Sequence, residues 1–310
     1  MRKQNRIAFF NILSIILLNG ISLLTAPLFS RILGTSGFGV LRIYNIWAGV
    51  AAILFTFQTQ GTLVNARVEY PDDQQHKYQS SVMTLSLLFF LLCGGVVLMF
   101  LPQVSALLKL HRVLVVLILF HSFGSFCVNF LNSKFTYEFK ADRNMLMSVG
   151  IVLVTLVLSV ILILSFPKQI NYYGRILALA MTYGSMGLGI CTYVLWKGRT
   201  FYNREYWTLA LTLALPVVFY SLSDLLLGQC DRLMLQRLMN EAMVGQYSMA
   251  YNFGGIMFTI FGALNNSWTP FYFEDMKLGR QTQMKTQAKN FLELFTVLSV
   301  GFILLAPEVY

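Results

Sequence analysis

Nine stretches of mostly apolar sequence, each about twenty residues long and divided by short charged segments, limit this chain to one kind of fold. A helix that crosses the hydrocarbon core of a bilayer needs about 20 such residues, with its backbone polar groups satisfied inside the segment. The runs cover residues 7–30, 40–63, 80–101, 110–131, 145–166, 175–196, 208–230, 243–267 and 288–306. Pro102 and Pro167 are expected to stop the third and fifth. The polar connection 65–79 is expected to lie on the inner membrane surface. Charged residues make up only 12% of the chain, about half the share of a soluble domain. The reading is an all-α integral membrane bundle.

Arg2, Lys3 and Arg6 ahead of an apolar run resemble a signal peptide, but the run continues to Phe29 without a small-x-small cleavage site. It reads as an uncleaved first helix. With the N-terminus inside, Arg31, Arg42, Lys109, Arg112, Lys168, Arg175, Arg232 and Arg237 fall outside and the other 15 of the 23 Lys and Arg fall inside. Cytoplasmic connections carry the basic excess, so the N-terminus is expected in the cytoplasm. The net charge of +10 is therefore a matter of topology and contact with anionic lipid. Nucleic acid is not an expected partner, because the cations are scattered among connections rather than gathered on one surface.

Cys93, Cys127, Cys191 and Cys230 lie far apart in or beside apolar runs, and His76, His111 and His121 form no constellation. Neither set has metal-site spacing. No nucleotide loop, nucleophile elbow or zinc helix occurs, so neither enzymatic chemistry nor a cofactor is expected.

The segment Arg31-Ile-Leu-Gly-Thr-Ser-Gly-Phe-Gly39 joins the first two runs and reads as a tight outer turn on Gly34, Gly37 and Gly39. It aligns without gaps on Arg237–Gly245, an offset of 206 residues. At the same offset Gly49 meets Gly255, Phe55 meets Phe261, Gln60 meets Asn266, Glu69 meets Asp275 and Gly95 meets Gly301. An even number of helices separates the copies, so they share one orientation, as parallel repeats do. The expected lobes are residues 1–206, with six helices, and 207–310, with three. The second repeat is then incomplete, and the chain is expected to be truncated from a protein of twelve or more helices.

Phe29–Gly39 resembles the first outer loop of the polysaccharide transport family, the lipid-linked oligosaccharide flippases of the superfamily that includes MATE drug exporters. Cys-Asp-Arg-Leu-Met-Leu (230–235) and Val-Gly-Gln-Tyr-Ser-Met-Ala-Tyr-Asn (244–252) resemble the family's seventh and eighth helices. The resemblance implies a MATE-like bundle of two lobes around a central cavity in a bacterial inner membrane. It also implies alternating access that exports undecaprenyl-diphosphate-linked oligosaccharide for O-antigen, capsule or exopolysaccharide. A polysaccharide polymerase and chain-length machinery would be partners. A cation-coupled multidrug exporter, or an inactive fragment or scaffold, are the alternatives.

Polar residues inside a membrane helix face a cavity or a partner helix. Asn11 on the first helix, Asn45, Thr56, Thr59 and Gln60 on the second, Tyr220, Asp224 and Asp231 on the seventh, and Tyr251 and Asn266 on the eighth fall on such polar faces at 100° per residue. Asp224 would neutralise, hold a cation or pair with an arginine. A diphosphate calls for guanidinium forks, and Arg31, Arg42 and Arg232 are the candidates, with snorkelling to outer headgroups as the other role for each.

Overall fold

The computed structural model describes residues 3–252, 254–255, 261 and 280–309. Its elements in chain order are α1 (Lys3–Thr56), a 3-10 turn (Thr59–Thr62), α2 (Leu63–Glu69), α3 (Gln75–Met99), α4 (Leu101–Leu108), α5 (Arg112–Tyr137), α6 (Ala141–Ser165), α7 (Tyr172–Gly198), α8 (Arg204–Leu238) and α9 (Gln281–Val309). Residues 241–252 are helical too, and no strand occurs among the described residues. Among the described residues seven helices are long and apolar enough to cross a membrane, beginning with Pro27–Thr56 and ending with Gln281–Leu304. This is the all-α membrane architecture that the apolar runs require. About half of the expected eighth helix, including all of 262–267, lies outside the described residues.

By packing, the chain divides into Met1–Gly245 and Gln246–Tyr310. The first unit is organised around α5, 67% of whose apolar span is buried, against 17% for α8. Small residues let helices come within backbone contact of α5 and its neighbours, which is how helices associate without a hydrophobic driving force. A Cβ on Gly124 would sit 2.1 Å from the Tyr183 carbonyl oxygen, and one on Gly187 would sit 2.5 Å from the Gly124 Cα. These two glycines seat α5 on α7. Gly174 brings α7 equally close to the backbone at Leu162 and Ile163 of α6. Tyr78, Met83, Phe126 and Phe130 fill the core between α3 and α5, all fully buried. In the second unit, Phe261 meets Phe291 and Phe295 of α9 edge to face, at 6.1 and 5.2 Å.

Several local expectations are corrected. The second apolar run does not continue as one helix to residue 63. It ends at Thr56, and Phe57 and Gln58 take left-handed backbone angles (φ 54° and 51°) before the 3-10 turn. Thr56 and Thr59 therefore do not line a polar stripe. The Thr59 and Ser86 hydroxyls hydrogen-bond at 2.5 Å, and Ser86 Oγ donates to the Thr56 carbonyl, fastening the turn to α3. Pro102 does not stop the third helix, which closes at Met99; it opens α4, where a missing N–H costs nothing. The connection 65–79 is largely helical, because α2 and the first turn of α3 take it up. Gln75 Nε2 ties the two together by donating to the Ala66 and Tyr70 carbonyls. Asn203 caps α8 by accepting from the Glu205 and Tyr206 N–H groups, and Trp207 Nε1 donates to the Ser81 carbonyl.

The glycine seam makes a direct test. Gly124→Ala should destabilise the detergent-purified protein by about 1–3 kcal/mol, because its methyl meets a backbone carbonyl that no rotamer can move. Gly95→Ala, with nothing within 4 Å of the added Cβ, should be neutral or raise stability by up to about 1 kcal/mol through helix propensity. Equal thermal midpoints for the two variants would contradict the seam.

Candidate functional site

The Arg31–Gly39 segment is not an open glycine loop. Only Gly34 leaves helical geometry (φ 69°, ψ 174°), so the chain reverses at one residue inside α1. A positive φ combined with a ψ near 180° is open to glycine alone among common residues. Gly37 and Gly39 are helical, and Gly39 serves close packing. A Cβ on Gly39 would sit 1.8 Å from the Glu241 carbonyl oxygen, and one on Gly245 would sit 1.9 Å from the Thr35 carbonyl oxygen. Thr35 and Glu241 are 206 residues apart, and so are Gly39 and Gly245. The contact is reciprocal: each residue of one copy meets the other residue's counterpart, as across a two-fold axis.

Below this crossing, α1, α7 and α8 bring three arginines together. Arg42 has Arg232 and Arg175 as its charged neighbours. Arg232 is 4% exposed. It donates to Gln229 Oε1 at 2.6 Å and the Gly228 carbonyl at 3.1 Å, and lies 3.7 Å from the Asp231 carboxylate. Arg42 stacks over the Phe38 ring at 4.8 Å, and Arg175 over Phe29 at 4.2 Å. Arg175 also donates to Ser159 Oγ at 2.5 Å. The Nε atoms of Arg42 and Arg175 are buried with no hydrogen-bond partner among the described residues. Stacking on aromatic rings holds the guanidinium planes while leaving their edges free to donate.

A polar shelf lies behind the cluster. Tyr44 is fully buried, donates its hydroxyl to the Leu117 carbonyl at 3.1 Å and stacks on His121 at 5.7 Å. His121 also meets Tyr183 at 5.1 Å, and its Nδ1 has no hydrogen-bond partner among the described residues. Three guanidiniums in one mostly enclosed setting are costly to bury unless negative charge is paired with them.

The structure unites Arg42, Asp231 and Arg232, and adds Arg175, which sequence reasoning placed among outer connection residues. No pattern signalled it, because its role depends on which way α7 faces α1. Arg31 is exposed on the far side of the Gly34 reversal and stands apart from the cluster. Asn45 is half-buried. Gln60 donates to Gln58 in the turn after α1. Tyr220 and Asp224 are exposed on α8, and Tyr251 is exposed and rings with Tyr247 at 6.0 Å. The side chain of Asn11, and Asn266 altogether, lie outside the described residues.

Comparison with known proteins adds two findings. Residues 6–275 match the family described as "Polysaccharide biosynthesis protein". The fold is similar to a solved structure titled as the inward-facing conformation of a multidrug resistance MATE family transporter of the MOP superfamily. The TM-score is 0.61 at 16% identity, covering 93% of this chain and 70% of that one. No curated protein matches the chain.

The arginine cluster sets an expectation for ligand binding. Pyrophosphate should raise the thermal midpoint of the purified protein, because an anion bound only by the folded state stabilises it by about 2.7 kcal/mol at a hundredfold excess over Kd. The Arg42→Gln, Arg175→Gln pair should abolish the shift. An equal shift in that double variant would remove the cluster as the anion site.

Proposed function

The chain belongs to the polysaccharide biosynthesis protein family and has a MATE-type transporter fold, and we propose that it is a flippase for diphosphate-linked oligosaccharide lipid. The observation that carries this reading is the Arg42–Arg175–Arg232 cluster. A diphosphate brings several oxygens and at least two negative charges. Three guanidiniums on three helices match them with charge-assisted, partly bidentate hydrogen bonds.

Transport follows from where these arginines sit. Arg42 belongs to the hairpin of the first repeat and Arg232 to the helix that enters the second. A ligand gripping both makes contacts that strengthen or weaken as the repeats rock about the Gly39–Gly245 crossing. A site whose affinity differs between two arrangements is what alternating access requires. In this reading residues 1–206 and 207–310 are the two lobes, the N-terminus is cytoplasmic, and the setting is a bacterial inner membrane. Undecaprenyl-diphosphate-linked oligosaccharide is the cargo for O-antigen, capsule or exopolysaccharide, and a polymerase and chain-length machinery take it on the far side. The chain works as a carrier rather than an enzyme.

A cationic drug exporter is the other reading that the fold suggests. The same cluster speaks against it, since three mostly buried guanidiniums repel an organic cation.

Complementation separates the two. In a strain lacking its lipid-linked glycan flippase, Arg42→Ala, Arg175→Ala and Arg232→Ala should each lower surface polysaccharide about ten- to hundredfold, the equivalent of one charged hydrogen bond. Lys replacements should recover only part, for want of the planar fork. Full surface polysaccharide in the alanine variants at equal expression, or ethidium efflux with no glycan phenotype, would overturn the proposal.

A further inference from the structure

The end of the first unit away from the Gly34 reversal carries a second basic site, one that the transport reading does not use. A groove of about 540 Å³ runs between the ends of α3, α5, α6 and α7. Lys134, Lys140, Arg143 and Lys197 line it together with one carboxylate, Glu138. Lys140 pairs with Glu138, and Lys134 stands 4.0 Å from the same carboxylate. Burial would raise the Glu138 carboxyl, but the Lys140 hydrogen bond and the charges of Lys134 and Lys140 hold it below its usual range. Glu138 therefore stays ionised and offsets one cation of the four.

The groove has two chemically different halves. Tyr193 marks the charged end. Lys134 and Lys197 lie 5.8 and 5.7 Å from its ring, and Lys197 Nζ donates to its hydroxyl at 3.4 Å. From Lys197 the lining continues along α7 to Ser185, twelve residues or about 18 Å toward the bilayer centre. Met186, Gly189 and Ile190 form this wall, faced by Leu131 and Phe135 of α5. A Cβ on Gly189 would meet nothing within 4 Å, so the groove is open there. A free phosphate would use the cationic mouth and leave the apolar channel unfilled. One molecule fills both halves: a phospholipid with an anionic headgroup and an acyl chain lying along α7.

We propose that this groove is a binding site for an anionic glycerophospholipid, its phosphate held by Lys197, Arg143 and Lys134 and one acyl chain lodged against Met186, Gly189 and Ile190. The mouth lies at the end of the bundle that holds the basic excess, where the positive-inside bias places the anionic leaflet.

Native mass spectrometry of the full chain, released from detergent with added dioleoyl phosphatidylglycerol or phosphatidylcholine, tests the site. The wild type should retain phosphatidylglycerol at least tenfold better than phosphatidylcholine. The Arg143→Gln, Lys197→Gln pair, both exposed and outside the core, should lose that preference. Gly189→Leu should weaken phosphatidylglycerol retention at least fivefold by filling the channel while leaving every charge in place. The Arg112→Gln, Lys168→Gln pair at the opposite end should behave as wild type. Unchanged preference in the first pair overturns the proposal. So does unchanged retention in Gly189→Leu, or displacement of the lipid by equimolar inorganic phosphate, since either marks a free-anion site.

Discussion

The backbone-to-backbone crossing of Gly39 with Glu241, and of Gly245 with Thr35, is the contact on which the rest of the first unit depends. Neither glycine needs a special φ. Each is required because the facing carbonyl occupies the place where a Cβ would stand. Close approach at this point fixes α1 beside the start of the second repeat and so sets how α8 runs past α1. One consequence is Gly49, whose added Cβ would fall 2.8 Å from Leu225 Cδ1 of α8. Another is the meeting of Arg42, one turn along α1 from Gly39, with Arg232. Without hydrophobic driving force between helices in lipid, such van der Waals contact and close interhelical approach carry much of the specificity.

Much of the architecture was legible because the bilayer imposes it. Backbone satisfaction in hydrocarbon leaves a run such as 145–166 little choice but helix, and α6 spans Ala141–Ser165. The basic residues of the connections also sort by end. Lys134, Lys140 and Lys197 gather at one, while Lys109 donates to the Arg237 carbonyl and Gln236 to that of Leu108 at the other. What the sequence hid is local. Phe57 and Gln58 turn the chain in left-handed geometry with no glycine to announce it, so the second helix was read seven residues too long. Glycines 34, 37 and 39 look alike as letters, yet one reverses the chain and another packs against a carbonyl.

The candidate site was half legible for a similar reason. Arg42 and Arg232 stand out because a diphosphate calls for guanidinium forks near the outer ends of the helices. Arg175 sits in the first turn of α7, where a snorkelling arginine is ordinary. Only the packing of α7 on α1 and α5 turns it inward over Phe29 and toward Ser159. Polar stripes misled for the converse reason. Thr56 and Thr59 share a helical face on paper, but the helix ends between them: the Thr56 hydroxyl donates back to the Ala52 carbonyl, and the Thr59 hydroxyl bonds Ser86.

The two basic sites divide between arginine and lysine in a way that follows from their settings. Near the Gly39–Gly245 end the cations are enclosed by helices and ring faces, where a delocalised, weakly hydrated guanidinium costs least to bury and still presents a flat edge of donors. At the groove mouth three of the four cations are ammonium groups on flexible stems, suited to reach an interface while their methylenes cover apolar wall. A headgroup there tolerates varied geometry, because its attraction is a point charge near a membrane surface. The diphosphate proposed between Arg42 and Arg232 would not, because its oxygens would have to satisfy donors whose planes are already set by Phe38 and by Gln229. Fixed donor planes make the arginine site selective, and mobile ammonium groups make the groove permissive.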